Sequence, residues 1–109
     1  MHRRVLTREL ATPVGPMLAG VRDDPAAEPA LCLLEFIDRP RLDAERRDLA
    51  KAIGPVEAAG DFETDTPATD LLDETAEQLA AYFARERTTF DLPLHNPGTE
   101  FQQQVWNHL

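Results

Sequence analysis

The sequence predicts a mixed α/β domain of the α+β kind, a small antiparallel sheet of about three strands packed by two helices, followed by the start of a third helix. Three observations predict it. A Pro- and Gly-punctuated hairpin opens the chain, an apolar strand follows, and then come two stretches of helical periodicity with recognisable ends. Residues Arg4–Thr12 and Pro16–Val21 read as two strands. The Thr12-Pro13-Val14-Gly15-Pro16 segment between them carries the residues of a tight reversal. Asp23–Pro29 is polar and Pro-bounded, a loop that looks long for a simple hairpin connection.

Ala30–Ile37 is the clearest strand. Strict alternation puts Leu31, Leu33, Glu35 and Ile37 on one face and Cys32, Leu34 and Phe36 on the other. Apolar residues on both faces predict a central strand covered on each side, with Glu35 marking the wetter face. Asp38-Arg39-Pro40 then opens a helix, with Asp38 as its expected cap. Leu42, Leu49 and Ile53 recur at helical spacing, Arg46 interrupting the stripe. Gly54-Pro55 ends it, with Gly54 expected at a left-handed cap position. Val56–Ala59 reads as a short strand or an extended link, and Gly60–Asp65 as an acidic loop.

The second helix has a capping Thr66 and Pro67 at its first position. Leu72, Ala76, Leu79 and Phe83 form its apolar stripe, flanked by Leu71, Thr75 and Tyr82. Acidic residues sit in its early turns, and Arg85 and Arg87 near its end suit the helix dipole. Phe90–Leu94 is extended, and Pro93 keeps it out of a sheet interior. After the His95–Gly98 linker, Thr99 and Gln102 make a capping box for a third helix with Phe101, Val105, Trp106 and Leu109 on its apolar face. The sequence ends within that helix.

The 109 residues suit one domain. The hydrophobic fraction of 42% and charged fraction of 28% exclude a mostly disordered chain, a collagen and a coiled-coil rod. No apolar run approaches the ~20 residues of a membrane span, and Thr7, Arg8 and Glu9 break any signal-peptide core. A cytoplasmic location, with no membrane partner, is expected. The net charge of −9 would repel a phosphate backbone at long range, so the segment is expected to be a poor DNA-binding surface by itself.

Four stretches together resemble the O6-alkylguanine-DNA alkyltransferases, the methylated-DNA–protein-cysteine methyltransferase family. The most specific is GTEFQQQVWNHL (Gly98–Leu109), which resembles the opening of the family's catalytic domain in its Gly-Thr, Phe-Gln and Val-Trp pairs. TPVGPML (Thr12–Leu18), LCLLEFIDRP (Leu31–Pro40) and QLAAYFARERTTFDLPL (Gln78–Leu94) resemble the early hairpin, the third strand and the end of the N-terminal domain. The resemblance implies a ribonuclease H-like N-terminal domain over residues 1–95, then a linker and the start of a DNA-binding and catalytic domain over 96–109. In the family that second domain flips the damaged base out of the duplex. A low-pKa cysteine in a Pro-Cys-His-Arg motif then takes the alkyl group once and for all. Neither that motif nor the Ile-Pro-Tyr-Gly segment that follows in the family occurs in this sequence. No catalytic, cofactor-binding or metal-binding residue is therefore assigned, no cofactor is expected, and the chain alone is expected to be inactive. Its expected partner is the catalytic C-terminal domain of the same protein, with DNA reached only through that domain.

Several side chains invite other readings. Cys32, the one thiol, lies among apolar neighbours, where a cysteine behaves as a small buried hydrophobe. Some members of the family hold a structural zinc with two Cys and two His. Cys32, His2, His95 and His108 have no close-pair spacing, so zinc is not expected. Asp61, Glu63, Asp65, Asp70, Asp73 and Glu74 could be read as a cation site, and the fold class brings metal-dependent nuclease chemistry to mind. A solvated loop and helix face are the expected reading. Phe101, Val105 and Trp106 are expected to belong to a core and, if exposed, to offer a surface for self-association. The alternative in function is a free-standing interaction or regulatory domain that pairs with a separate catalytic half.

Overall fold

The computed structural model describes residues 3–60, 64–87, 89 and 91–93. Three strands, β1 (Arg4–Leu10), β2 (Met17–Asp23) and β3 (Ala30–Phe36), run antiparallel in sequence order. Helix α1 (Leu42–Ala52) then crosses one face of the sheet and delivers β4 (Val56–Ala58) parallel to β1. Helix α2 (Pro67–Phe83) covers the other face. The strand order is β3-β2-β1-β4. The mixed α/β class expected from the sequence holds, with a fourth, parallel strand added at the β1 edge. A parallel partner needs a crossover, and α1 supplies it.

The hairpin turns where Pro and Gly predicted. Gly15 N–H donates to the Thr12 carbonyl at 3.2 Å, and Gly15 takes a φ of 129°, a conformation that glycine alone adopts without strain. The loop after β2 is an Asx turn, Ala26 N–H donating to Asp24 Oδ1 at 2.9 Å. It joins two antiparallel neighbours, so the connection that looked long is a hairpin after all.

Two expectations about β3 are corrected. It is an edge strand, not a central one, although a helix layer does cover each of its faces. Its alternation also breaks. Gly20 pairs with Leu33 and Val21 with Leu31, which leaves Cys32 as the extra residue of a β-bulge. Leu31 and Leu34 therefore pack with α2, while Cys32 and Leu33 both pack on the α1 side. Gly20 makes the room: a Cβ there would lie 3.0 Å from Leu33 Cβ and 3.2 Å from Val5 Cγ1.

Helix boundaries differ from expectation at two ends. α1 begins at Leu42 after two tight turns, with Arg41 as an N-cap that makes no side-chain bond, so Asp38 caps nothing. Gly54 has no left-handed φ; a Cβ on it would lie 2.1 Å from the Arg3 carbonyl oxygen, so it permits close approach of α1 to β1. α2 starts as the sequence predicts. Thr66 and Thr69 form a reciprocal capping box, Thr69 N–H to Thr66 Oγ1 at 3.1 Å and Thr66 N–H to Thr69 Oγ1 at 2.9 Å, with Pro67 at the first position. It ends in a Schellman motif. Glu86 N–H donates to Ala81 O and Arg85 N–H to Tyr82 O, with Arg85 in the left-handed region at φ 62°. Arg85 and Arg87 thus lie past the helix end, and the last turn of α2 holds no basic residue.

Candidate functional site

A buried polar side chain marks the place where the chain leaves α2. Along the helix, Leu71, Thr75, Gln78 and Tyr82 follow one another at i, i+4, i+7 and i+11, so Gln78 is a polar residue on an inward-facing row. It is 3% exposed. A buried amide must satisfy its hydrogen-bonding groups, and Gln78 does so on the backbone of Asp91. Its Nε2 donates to Asp91 O at 2.9 Å and to Glu74 Oε1 at 2.8 Å, while Asp91 N–H donates to its Oε1 at 2.8 Å. The side chain thus mimics a strand partner for the Asp91 peptide. Two residues on, Pro93 O accepts from Leu31 N–H at 2.7 Å. Proline contributes its carbonyl there, the one backbone bond it can make. The segment from Asp91 to Pro93 is therefore fixed between α2 and the outer edge of β3, with Leu92 packed against the main core.

Cys32 sits on the opposite face, 6% exposed among Val5, Ile53, Leu49 and Val56. Its Sγ–H donates to Gly20 O at 3.5 Å. Burial pushes the thiol up to about 12, while Arg22 and the neighbouring backbone offset only part of that. The thiol is protonated at neutral pH, the opposite of what a nucleophile needs. Glu35, expected on the wetter face, is 1% exposed. The turn leading into α1 covers it; its Oε1 accepts from Phe36 N–H at 3.1 Å and lies 4.0 Å from Arg39 Nε.

The acidic set is dispersed. Asp65 and Asp70 are exposed, Asp73 pairs with Arg8 of β1, and Glu74 is engaged by Gln78. Among the described residues no group of three His, Cys, Asp or Glu side chains comes together as metal ligands would. Asp61, Glu63, His2, His95, His108, Phe101, Val105 and Trp106 lie outside the described residues. No helix among the described residues is long and apolar enough to cross a membrane.

Sequence reasoning missed Gln78 and the bulge at Cys32. Both had a signal: a glutamine on an apolar helical row, and a glycine inside a strand facing the run that bulges.

Comparison with known proteins gives a consistent answer. The family model for the 6-O-methylguanine DNA methyltransferase, ribonuclease-like domain, matches residues 28–95. The chain is 52% identical over 46 residues to the constitutive methylated-DNA–protein-cysteine methyltransferase of Bacillus subtilis, covering 42% of this chain and 28% of that protein. It is 56% identical over 36 residues to the methylated-DNA–protein-cysteine methyltransferase of Methanosarcina acetivorans, covering 33% and 23%. With the protein of that name from Mycobacterium tuberculosis the identity is 48% over 44 residues, covering 40% and 27%. The chain thus spans about a quarter of the length of the curated relatives it matches. No solved structure matches it.

Proposed function

The chain belongs to the 6-O-methylguanine DNA methyltransferase family of DNA-repair proteins, represented by its ribonuclease-like domain, and on that premise we propose that it is the N-terminal structural half of a protein that moves alkyl groups from O6 of guanine in DNA to a cysteine of its own. In that reaction a thiolate attacks the alkyl carbon, the S–C bond forms and the C–O6 bond breaks. The electron pair stays on guanine, which takes up a proton. The receiving thiol needs a depressed pKa and access to a flipped base.

The observation that carries the reading is the state of Cys32. It is the one cysteine in the sequence, and it is buried, protonated and packed under α1. This half therefore supports the reaction rather than performing it. The fixed Asp91–Pro93 segment supports the same reading, because it starts whatever follows from one defined place on the sheet edge. A DNA-repair role for the whole protein, contact with DNA through a separate catalytic domain, and the absence of a catalytic, cofactor or metal residue in this half are parts of the proposal.

The test is alkyl transfer by the chain itself. Incubated with duplex DNA carrying radiolabelled O6-methylguanine, it should acquire no label, and alkylating reagents should leave Cys32 unmodified until the domain is unfolded. Label on Cys32 of the folded chain would overturn the proposal.

A further inference from the structure

The two helices carry different charge. α2 bears Asp70, Asp73, Glu74 and Glu77 with no basic residue, whereas α1 balances Asp43, Glu45 and Asp48 with Arg46, Arg47 and Lys51. Between α1 and the β1–β4 edge lies a cleft of about 350 Å³, lined by Thr7, Arg46, Arg47, Ala50 and Val56. Ala50 follows Arg46 by four residues and Arg47 by three, so its methyl group sits between the two arginine stems and leaves the floor open.

Of the acidic groups nearby, Glu57 faces Arg4 at 3.6 Å and Glu45 faces Arg41 at 3.9 Å, while Asp43 and Asp48 lie on α1 itself. In a chain with 20 acidic residues, no described carboxylate makes an ion pair with Arg46 or Arg47. The wall of the cleft offers a further donor. Val5 N–H bonds Pro55 O and Ala59 N–H bonds Thr7 O, so the alternation along β4 turns the Val56 amide away from β1, toward the sheet's outer edge. Two planar guanidinium forks and an outward amide beside an apolar floor suit a multi-oxygen anion better than a single carboxylate.

We propose that this cleft binds a phosphate group, with Arg46 and Arg47 as its ligating side chains. The group is either free phosphate or a phosphodiester of a nucleic acid backbone. The inference does not rest on alkyl transfer, and its test needs only this chain.

The Nε–Hε resonances of the arginines report binding directly. Titration with inorganic phosphate should shift those of Arg46 and Arg47 to saturation and leave that of Arg87 unmoved. Sodium chloride at matched ionic strength should not reproduce the shift. Arg46→Gln and Arg47→Gln, both on exposed positions, should each weaken binding about tenfold, the loss of one charged hydrogen bond. Ala50→Leu fills the floor while keeping both charges, and it should weaken binding as well; a shaped cleft requires that, a diffuse positive surface does not. A short undamaged duplex that displaces phosphate, with a log–log salt slope of about −1 for one neutralised phosphate, identifies the backbone as the source. A duplex that does not displace it identifies free phosphate. Equal shifts with chloride, or an Ala50→Leu variant that binds like the parent, would overturn the site.

Discussion

α2 lies over a continuous apolar surface that draws on β1, β2 and β3. Leu6, Met17, Val21, Leu31 and Leu72, all with no exposed surface, belong to that one cluster. α1 lies over a thinner and more polar face. Its apolar contacts fall into two small groups, Leu42 with Leu18 and Leu33, and Ile53 with Val5 and Cys32. Between them the same side of the molecule holds the buried Glu35 and Thr7, and Gly20 where a side chain would collide. Burial of apolar area is the main favourable term in folding, so the α2 layer holds the domain together. The α1 layer instead positions polar groups, among them the arginine cleft and the parallel strand β4.

The sharpest way to break this contrast is to cut the same side chain from each layer. Leu72→Ala should cost about 3–5 kcal/mol, because the cavity is enclosed by a helix and three strands and cannot collapse. Leu42→Ala, in the first turn of α1, should cost about 2–3 kcal/mol, since that turn can settle into the space. Urea denaturation at equal slopes measures both. Equal losses would mean that the two layers share one cooperative core.

Gln78 ties the strong layer to the exit of the chain. Gln78→Leu keeps the volume and removes both bonds to Asp91, leaving the part-buried Asp91 peptide groups and the exposed Glu74 carboxylate without that partner. The expected cost is about 1–3 kcal/mol. The more telling readout is local: amide exchange at Asp91 should accelerate strongly, and at Leu31 with it, because the Leu31 amide bonds Pro93 of the same segment. Unchanged exchange at both sites would show that Leu92 packing alone holds the exit.

How much of this was legible in the sequence depends on whether a single residue or a pair of strands carries the feature. The hairpin, the Thr66-Pro67 start of α2 and the apolar stripes of both helices are local, and the sequence predicts them correctly. The two-faced burial of β3 was also legible, but its edge position was not, because helix layers on both sides look the same in sequence as neighbouring strands do. The bulge could not be read from alternation alone: it depends on how Gly20 meets Leu33 across the ladder. Gly54 shows the same limit. Its position after α1 looked like a cap, whereas the contact that demands glycine is with Arg3, distant in sequence. Of the functional features, the buried state of Cys32 followed from its apolar neighbours, while the Gln78 clamp and the arginine cleft need the fold to bring their parts together.

A smaller effect is expected at the end of α2. Arg85 holds the left-handed position that closes the Schellman motif, where a side chain costs about 1–2 kcal/mol. Arg85→Gly relieves that strain but loosens the unfolded chain by about 0.5–1 kcal/mol. A net stabilisation of about 0.5–1 kcal/mol is the expected balance of those two effects. Thermal denaturation should show it as a modest rise in midpoint. A fall would mean that the Arg85 side chain makes a contact that outweighs the strain.

The smallest effect tests the polar layer directly. Burial, then repulsion from Glu35, raises the Glu45 carboxyl above its ordinary value of 4.5, Arg41 pulling it down and Asp48 adding to the rise. The folded state therefore keeps a proton that the unfolded chain has already released. Below pH 4.5 the contribution of this group to stability is fully present, and it is lost as pH rises through the folded-state value. The slope is shallow, because Glu45 is partly exposed and solvent screens its neighbours. Glu45→Gln removes the titration while keeping the shape. Its advantage over the parent chain should grow from pH 4.5 toward neutrality, read as the separation of urea midpoints. On α2, Asp73 faces Arg8 and Glu74 faces Gln78. Parallel midpoint curves for the parent and Glu45→Gln would mean that burial and Glu35 together do not raise the Glu45 carboxyl, and the polar layer would then differ from the apolar one only in packing.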